Sequence, residues 1–412
     1  MKSSLINTAI LLTSILVAIF GIELFLRLAN IGGKAAPKSL YYRQVEGSEL
    51  HRHHRTYGWT AVPNVRAQIS SPEYDISVAN NSLGTRGPEF ALDDSTKGCR
   101  VLVAGDSFIA AYTVEFDEVF TQVAERIVED RLDRECEFIA DGVEGYSTDQ
   151  ELLRYRDIGK SYDADLVVLA LFFNDVHQNA SPWAEGGFQP KPVFEITDTG
   201  LTATNIPVPE PTEETADIPK DRSLSSRIRK RLSGAFSGPS RIRTMIRSTL
   251  ASAELEDHGI PLRSGLFSHD VPAHWGVYSV DRSKELAHAL DMTERLILQF
   301  REEVQAQGSD FSILHIPNRS LIYDEDWRWA QAFHGLDENW DIGRFEDFAQ
   351  SLCVAYDIPC ILPAAEIAAR AQASDDISKR LYLINDPHLS AAGHVAMGEI
   401  LAEYLLDGPL SR

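Results

Sequence analysis

Cysteine is scarce in this sequence, with only four residues among 412. So few cysteines exclude a small fold that depends on a disulfide framework, and no two of them stand in a C-x-x-C spacing. Cys99 and Cys136 each precede a predicted strand, whereas Cys353 and Cys360 flank a helix-to-strand connection. Either pair can form a disulfide in an oxidising compartment, and four buried thiols fit the sequence no less well.

Positively charged residues are also few, since the chain has 39 Lys and Arg against 61 Asp and Glu, which gives a formal net charge of -22. A surface that binds nucleic acid needs clustered Lys and Arg, so we expect no nucleic-acid partner. The acidic balance fits a neutral or cationic substrate, or solubility alone. Hydrophobic residues make up 44% of the chain, enough for a sizeable core. This composition excludes disorder throughout.

Motifs for cofactors and metals are missing as well. The sequence has no zinc motif, no phosphate-binding glycine loop and no dinucleotide fingerprint. His51, His53 and His54 lie close together, but no carboxylate accompanies them at a spacing typical of metal ligands. We therefore predict neither a cofactor nor a metal.

The longest apolar run lies at the amino terminus, from Ile6 to Leu28, with Glu23 and Arg27 as its charges. A run of roughly 20 residues can span a bilayer as a helix, and no clear small-x-small cleavage site follows it. We predict a transmembrane anchor over residues 1–30 and a single-pass membrane protein whose main domain is extracytoplasmic (periplasmic). Basic residues on both sides of the run leave the orientation open, and a buried core helix is the alternative.

The rest of the chain divides by composition. Residues 31–95 are rich in polar and turn residues and are predicted to form a stalk and an N-terminal flap. Residues 181–270 carry Pro, Gly, Ser and acidic clusters and are predicted to be an insertion. One domain is then assembled from two separated halves, residues 96–180 and 271–412.

Strands and helices alternate within these two halves. Strands without internal polar alternation, separated by helices, predict a parallel sheet covered on both faces. The predicted strands are 101–105, 136–140, 165–172, 311–316 and 359–362, and the predicted helices are 117–132, 148–159, 283–307, 343–356 and 390–406.

A serine stands at the end of the first of these strands, in the segment Gly105-Asp106-Ser107-Phe108. Open α/β sheets place their chemistry at the carboxyl ends of the strands. Far downstream, Asp386 and His388 precede the last predicted helix. A serine hydroxyl becomes nucleophilic when an imidazole accepts its proton and a carboxylate orients that imidazole, so we predict these roles for Ser107, His388 and Asp386.

Acyl transfer also requires donors that stabilise an oxyanion. The backbone N–H of Ser107 is one candidate. Gly145 lies in the loop after the second strand, where Gly142 is an alternative, and Asn174 follows the third strand. We predict that Ser107, Gly145 and Asn174 form the oxyanion hole.

Taken together, these segments resemble the SGNH/GDSL hydrolase family over roughly residues 80–180 and 285–405. The resemblance implies a three-layer α/β/α, flavodoxin-like doubly wound parallel sheet, and it assigns the four residues that name the family to Ser107, Gly145, Asn174 and His388. The segments 145–150 and 388–394 resemble members that are membrane-attached in bacteria. Phe172 departs from the family pattern, since it stands where G-x-N-D has Gly.

The acid also departs from the pattern, because Asp386 precedes His388 by two residues rather than the commoner three. This spacing resembles the alginate-type O-acetyltransferases. The expected function is a serine esterase that hydrolyses O-acyl esters, above all O-acetyl esters, of a carbohydrate or small molecule. The alternatives are an O-acetyltransferase that acts on a glycan hydroxyl and a catalytically idle module for glycan binding or cell-envelope assembly. The expected partners are an acylated small molecule or glycan and the membrane.

Overall fold

The structure is a computed structural model that describes residues 14, 18, 20–22, 44–47, 49–92, 98–184, 189–198, 200–210, 271–373, 376 and 379–410. The predicted anchor at Ile6–Leu28 lies almost entirely outside these residues, as does the part of the predicted insertion from 211 to 270. Within the described ranges, no helix is both long and apolar enough to cross a bilayer.

Two compact units divide the chain. One consists of Met1–Tyr41, Pro219–Val271 and Glu325–Glu338. The other consists of Tyr42–Ile218, Pro272–Asp324 and Asn339–Arg412 and contains every strand described below.

The segment before the predicted domain is folded. It contains strands β1 (Gln44–Gly47), β2 (His51–His54), β3 (Gly58–Ala61), β4 (Arg66–Ser70) and β5 (Asp75–Ala79). β4 pairs with β1 and β5 in an antiparallel sheet, and β2 forms a hairpin with β3. These residues, predicted to form a stalk and an N-terminal flap, lie in two small sheets with buried side chains.

The main sheet has five parallel strands, β6 (Cys99–Gly105), β7 (Cys136–Gly142), β8 (Leu166–Leu171), β11 (Asp310–His315) and β12 (Cys360–Ile361). They lie in the order β12-β11-β8-β6-β7. The strands β9 (Val193–Thr197) and β10 (Gly200–Thr204) form a hairpin outside this sheet. Every residue of β6 and β8 is buried. The predicted parallel sheet is confirmed, and all five predicted strands are present.

The order of the strands fixes where the sheet opens. From β6 the chain moves outward to β7 and then crosses back to β8 on the other side of β6. In a doubly wound sheet this reversal separates the loops at the carboxyl ends of the two central strands and leaves a crevice there. The crevice is therefore expected between the ends of β6 and β8.

The helices form two groups. They are α1 (Ser107–Ala110), α2 (Phe120–Leu132), α3 (Thr148–Asp157), α4 (Asn174–Asn179), α5 (Lys284–Ala306), α6 (Arg319–Ile322), α7 (Asp324–His334), α8 (Arg344–Tyr356), α9 (Ala364–Gln372) and α10 (Ala391–Asp407). α2 packs against α10, whereas α3 and α4 pack against α5. Because right-handed crossovers in opposite directions lie on opposite faces of a sheet, α2 and α3 are expected to cover different faces.

Two disulfides are present, which decides between the alternatives left by the sequence. Cys99 and Cys136 begin the neighbouring strands β6 and β7 in register and are bonded to each other. The second bond joins Cys353 of α8 to Cys360 of β12.

Candidate active site

Ser107 is the first residue of α1, two positions after β6 ends at Gly105. The carboxylate of Asp106 caps this short helix by accepting a hydrogen bond from the N–H of Phe108 at 2.9 Å. Packing requires glycine at position 105, because a Cβ there would lie 2.4 Å from the side chain of Ile109. The strand and its tight turn therefore hold the serine at the carboxyl edge of the sheet.

Ser107 and His388 are in direct contact, although they are far apart in the sequence. The hydroxyl oxygen of Ser107 lies 2.7 Å from Nε2 of His388. The other ring nitrogen, Nδ1, is hydrogen bonded to Oδ1 of Asp386, which also accepts the backbone N–H of His388 at 3.0 Å. The structure thus brings the three sequence-predicted side chains into one hydrogen-bonded chain.

The loop that carries the acid and the imidazole is closed by backbone pairing. The N–H of Leu383 donates to the carbonyl of His388 at 3.0 Å, and the N–H of Ser390 donates to the carbonyl of Leu381 at 2.9 Å. Ser390, rather than Asp386, caps α10 through its side chain. Asp386 is therefore free of the helix-capping role that its position before a helix also allows.

The acid and the imidazole shift each other's pKa. Burial alone would raise the pKa of Asp386 and lower that of His388. Their mutual attraction and hydrogen bonds outweigh burial, so the pKa of Asp386 falls to about 2 and that of His388 rises above its ordinary value. Arg319 also lowers the pKa of Asp386. The pair is therefore suited to hold an imidazolium once His388 has taken a proton.

Gly142 and Gly145 differ in what their backbone requires. Gly142 ends β7 opposite Gly105, and a Cβ on it would lie 2.4 Å from the backbone nitrogen of Ala110. Gly145 lies beyond the strand with φ +76°, a left-handed conformation that favours glycine. The indole N–H of Trp59 donates to the carbonyl of Glu144 at 2.9 Å and so holds the loop that contains Gly145.

Asn174 begins α4, three residues after β8 ends, and its side chain is buried. The following carboxylate, Asp175, accepts the backbone N–H of Phe172 at 2.9 Å and stabilises the turn between strand and helix. Phe172 does not adopt a positive φ, so its backbone does not require the glycine that G-x-N-D has at this position. Ser107, Gly145 and Asn174 thus each follow one of three neighbouring strands.

Aromatic rings continue from the imidazole into the core. The ring of Phe108 lies 4.7 Å from that of His388 and 4.6 Å from that of Phe172. Phe172 in turn lies 4.6 Å from the ring of Phe173. These three side chains are almost fully buried and form an apolar wall beside the serine and the imidazole.

Several buried carboxylates lie near the site, and they are close enough together to influence one another's pKa. Burial is the main reason that the pKa of Asp106 rises to about 6, and burial together with neighbouring acids raises those of Glu151 and Asp175. The ammonium of Lys191 balances part of this charge through an ion pair with Asp149, at 2.5 Å. In the described part of the chain, no group of His, Cys, Asp and Glu is arranged to hold a metal ion.

One residue near the site was not singled out by the sequence. The buried guanidinium of Arg86 donates to the carbonyls of Ala110, Ala111 and Val114 at 3.1, 2.5 and 2.6 Å. These bonds fix the chain where α1 ends, with Ala111 at φ +51°. Arg86 stands in a turn-rich segment of the sequence, and nothing in that pattern indicates a buried cation.

Comparison with known proteins gives weak similarity. No family model matches the sequence, and no curated protein matches it. Among solved structures, the acetyl xylan esterase AlAXEase is 12% identical with a TM-score of 0.36, over 74% of this chain and 98% of that one. A putative lipolytic protein of the G-D-S-L family from Desulfitobacterium hafniense DCB-2 is 10% identical with a TM-score of 0.34, over 75% of this chain and all of that one. Scores this low carry no functional conclusion, which must come from the residues of the site.

Proposed function

We propose that this protein is a serine esterase that hydrolyses O-acyl esters through a covalent acyl-enzyme on Ser107. The observation that carries the proposal is the hydrogen-bonded chain from Ser107 through His388 to Asp386. It lies where a doubly wound sheet presents its reactive groups, at the carboxyl end of a central strand. A hydroxyl, a base and an acid in this order are the components of nucleophilic acyl transfer.

The reaction proceeds in two steps. Nε2 of His388 accepts the proton of Ser107 while the serine oxygen attacks the carbonyl carbon of the ester. The imidazolium then protonates the alcohol oxygen as the carbon–oxygen bond breaks, which leaves the acyl group on Ser107. In the second step His388 deprotonates a water molecule, which attacks the acyl carbon. The imidazolium then protonates the serine oxygen as its bond to the acyl carbon breaks, which releases the carboxylic acid and restores Ser107 and neutral His388.

The negative charge that develops on the carbonyl oxygen requires donors. We assign them to the N–H groups of Ser107 and Gly145 and to the side-chain amide of Asn174. This assignment is supported by their positions after three neighbouring strands and by the left-handed backbone of Gly145. Each such donor contributes roughly a hundredfold to a thousandfold in rate.

The acyl group is proposed to be short, and an acetyl ester of a carbohydrate or small molecule is the best candidate. Phe108 and Phe172 fill the volume beside His388 with aromatic rings, which supports a site with little room for a long chain. The net charge of -22 disfavours an anionic alcohol portion.

Transfer to a glycan hydroxyl is the second candidate. It is supported by the two-residue spacing between Asp386 and His388, in which one carboxylate oxygen bonds both the ring and the backbone N–H of the histidine. The chemistry is the same up to the acyl-enzyme, and a sugar hydroxyl then replaces water as the second nucleophile.

The compartment is also a proposal. Both disulfides support an oxidising environment, and the apolar run Ile6–Leu28 supports attachment to a membrane. We therefore place the catalytic domain on the extracytoplasmic side.

Two measurements test the function. A fluorophosphonate probe should label the wild-type chain and fail to label Ser107→Ala. With nitrophenyl acetate as donor, free acetate with or without added oligosaccharide indicates an esterase, whereas acetylated oligosaccharide indicates a transferase. Equal labelling of wild type and Ser107→Ala, without turnover, would instead favour the idle binding module.

A further inference from the structure

The turn between β4 and β5 contacts the loop that carries Asp386 and His388. The two oxygens of Glu73 each accept a backbone N–H from this loop, Oε1 from Ile384 at 2.7 Å and Oε2 from Asn385 at 3.0 Å. These amides immediately precede the acid. A carboxylate that accepts two charge-assisted bonds restrains the backbone more strongly than a neutral acceptor does.

The neighbouring residue, Tyr74, contacts the acid itself. Its hydroxyl donates to Oδ2 of Asp386 across 3.3 Å, which is a long hydrogen bond. Oδ1 of the same carboxylate bonds His388. Both oxygens of Asp386 therefore have partners, one on the imidazole and one on the N-terminal segment.

The carbonyl groups of the loop are held by a different part of the fold. Nη1 of Arg319, the first residue of α6, donates to the carbonyls of Leu383, Ile384 and Asp386 at 3.1, 3.0 and 3.0 Å. Glu73 binds the N–H groups and Arg319 binds the carbonyl groups of the same short stretch. The loop is thus fixed by two opposite charges that use both kinds of backbone group.

We propose that Tyr74 and Glu73 are positioning residues for the catalytic acid and base, an inference that rests on the proposed function. Glu73 fixes the backbone from which Asp386 and His388 project. Tyr74 orients the carboxylate and offsets part of its negative charge. The turn between β4 and β5 would thereby support the catalytic acid and base.

Tyr74→Phe removes one oxygen atom and tests the role of the hydroxyl. Without this donor the charge of Asp386 acts more strongly on His388, so the pKa of the imidazole rises further. We expect kcat to fall about threefold to tenfold with KM unchanged, because one hydrogen bond that orients Asp386 is lost and no group that contacts the substrate changes. The acid limb of the pH profile should move to higher pH.

Glu73→Gln tests whether the carboxylate of Glu73 fixes the backbone of the loop that contains Asp386 and His388. Glutamine offers one acceptor oxygen, and its amide nitrogen would face a backbone N–H donor. We expect a larger loss of kcat than in Tyr74→Phe, again with little change in KM, because the loop shifts and His388 moves relative to Ser107.

Matched controls exist in the same chain. Tyr356→Phe removes a hydroxyl that donates to the carboxylate of Glu294, away from the site. Glu89→Gln alters a carboxylate that accepts the N–H and the hydroxyl of Ser82, at 2.8 and 2.7 Å, within the same N-terminal segment. Both controls should retain the wild-type kcat and pH profile.

Labelling of the full chain by a fluorophosphonate separates the two hypotheses. If the wild type and Ser107→Ala react alike, the proposed function fails. If the wild type reacts through Ser107 but Tyr74→Phe and Glu73→Gln react at its rate with its pH profile, only the positioning role fails. Slower labelling with an unmoved acid limb and a lowered thermal midpoint would also overturn the inference, because it indicates general destabilisation.

Discussion

The hydroxyl oxygen of Ser107 lies 2.7 Å from Nε2 of His388, across 281 positions of sequence. One residue follows a central strand and the other precedes the last helix. β6 delivers Ser107 to the carboxyl edge of the parallel sheet, and the loop between α9 and α10 brings His388 to the same place.

Ser107→Ala removes the nucleophile without disturbing its support. We expect kcat/KM for nitrophenyl acetate to fall by about a thousandfold or more, because no acyl-enzyme can form. The thermal midpoint should stay close to that of the wild type, since the turn is held by the carboxylate of Asp106 rather than by the serine hydroxyl. Stopped assays and a thermal melt on the same preparation check both points, and turnover that survives the substitution would remove Ser107 from the mechanism.

The fold and the serine could be predicted because both depend on local patterns. The run Val101-Leu102-Val103-Ala104 is apolar on both faces, as a central parallel strand requires, and Gly105-Asp106-Ser107 follows it directly. The five predicted strands and five predicted helices are present with shifts of a few residues at their ends.

The supporting residues could not be predicted, because their contacts leave no local pattern in the sequence. Tyr74 contacts Asp386 across 312 positions, and Arg86 contacts Val114 through a carbonyl that carries no sequence signal. The short helices α6 and α9 were also missed, since four and nine residues give little periodicity. The pairing of Cys99 with Cys136 depends on strand register, which composition does not determine.

The pH dependence should report the raised pKa of His388. The base must be neutral to accept the serine proton, so kcat/KM should rise as pH increases through this pKa, at a pH above the ordinary histidine value. A rate that is flat from mildly acidic to neutral pH would contradict the role of His388 as general base.

Asp386→Asn should show how the charge of Asp386, as distinct from burial, changes the pKa of His388. Without the carboxylate, burial is the largest remaining influence and lowers the pKa of His388, against the smaller raising effects of Asp106 and Glu144. We expect the acid limb to move to lower pH and kcat to fall by roughly a thousandfold to ten-thousandfold, because the imidazole loses its orientation and its counter-charge. Full pH profiles of both proteins check the shift, and a limb that stays in place would show that Asp386 does not act on the base.

Arg86→Met should destabilise the fold more than it changes substrate binding. The substitution leaves the buried carbonyls of Ala110, Ala111 and Val114 without their donor, at a cost of about 2 kcal/mol or more. Urea unfolding measures this loss. Arg86→Lys keeps the charge but has fewer donors, so its stability should lie between those of the wild type and Arg86→Met. If Arg86→Met is as stable as the wild type, the guanidinium does not have this role.

Phe172→Ala should change the preferred length of the acyl chain. The ring packs on Phe108 next to His388, so its removal opens apolar volume beside the acyl-enzyme. Because each added methylene in an apolar pocket changes the rate by about tenfold or more, we expect hexanoate esters to gain on acetate esters by at least that factor. The variant should also lose about 3 kcal/mol of stability, as large-to-small changes in a core do.

Phe172→Leu keeps most of the volume and should retain the preference for acetate. Kinetics on nitrophenyl esters from acetate to hexanoate give the comparison. If the ratio of the hexanoate rate to the acetate rate is the same in Phe172→Ala as in the wild type, the space next to His388 does not limit the length of the acyl group, which must then lie elsewhere.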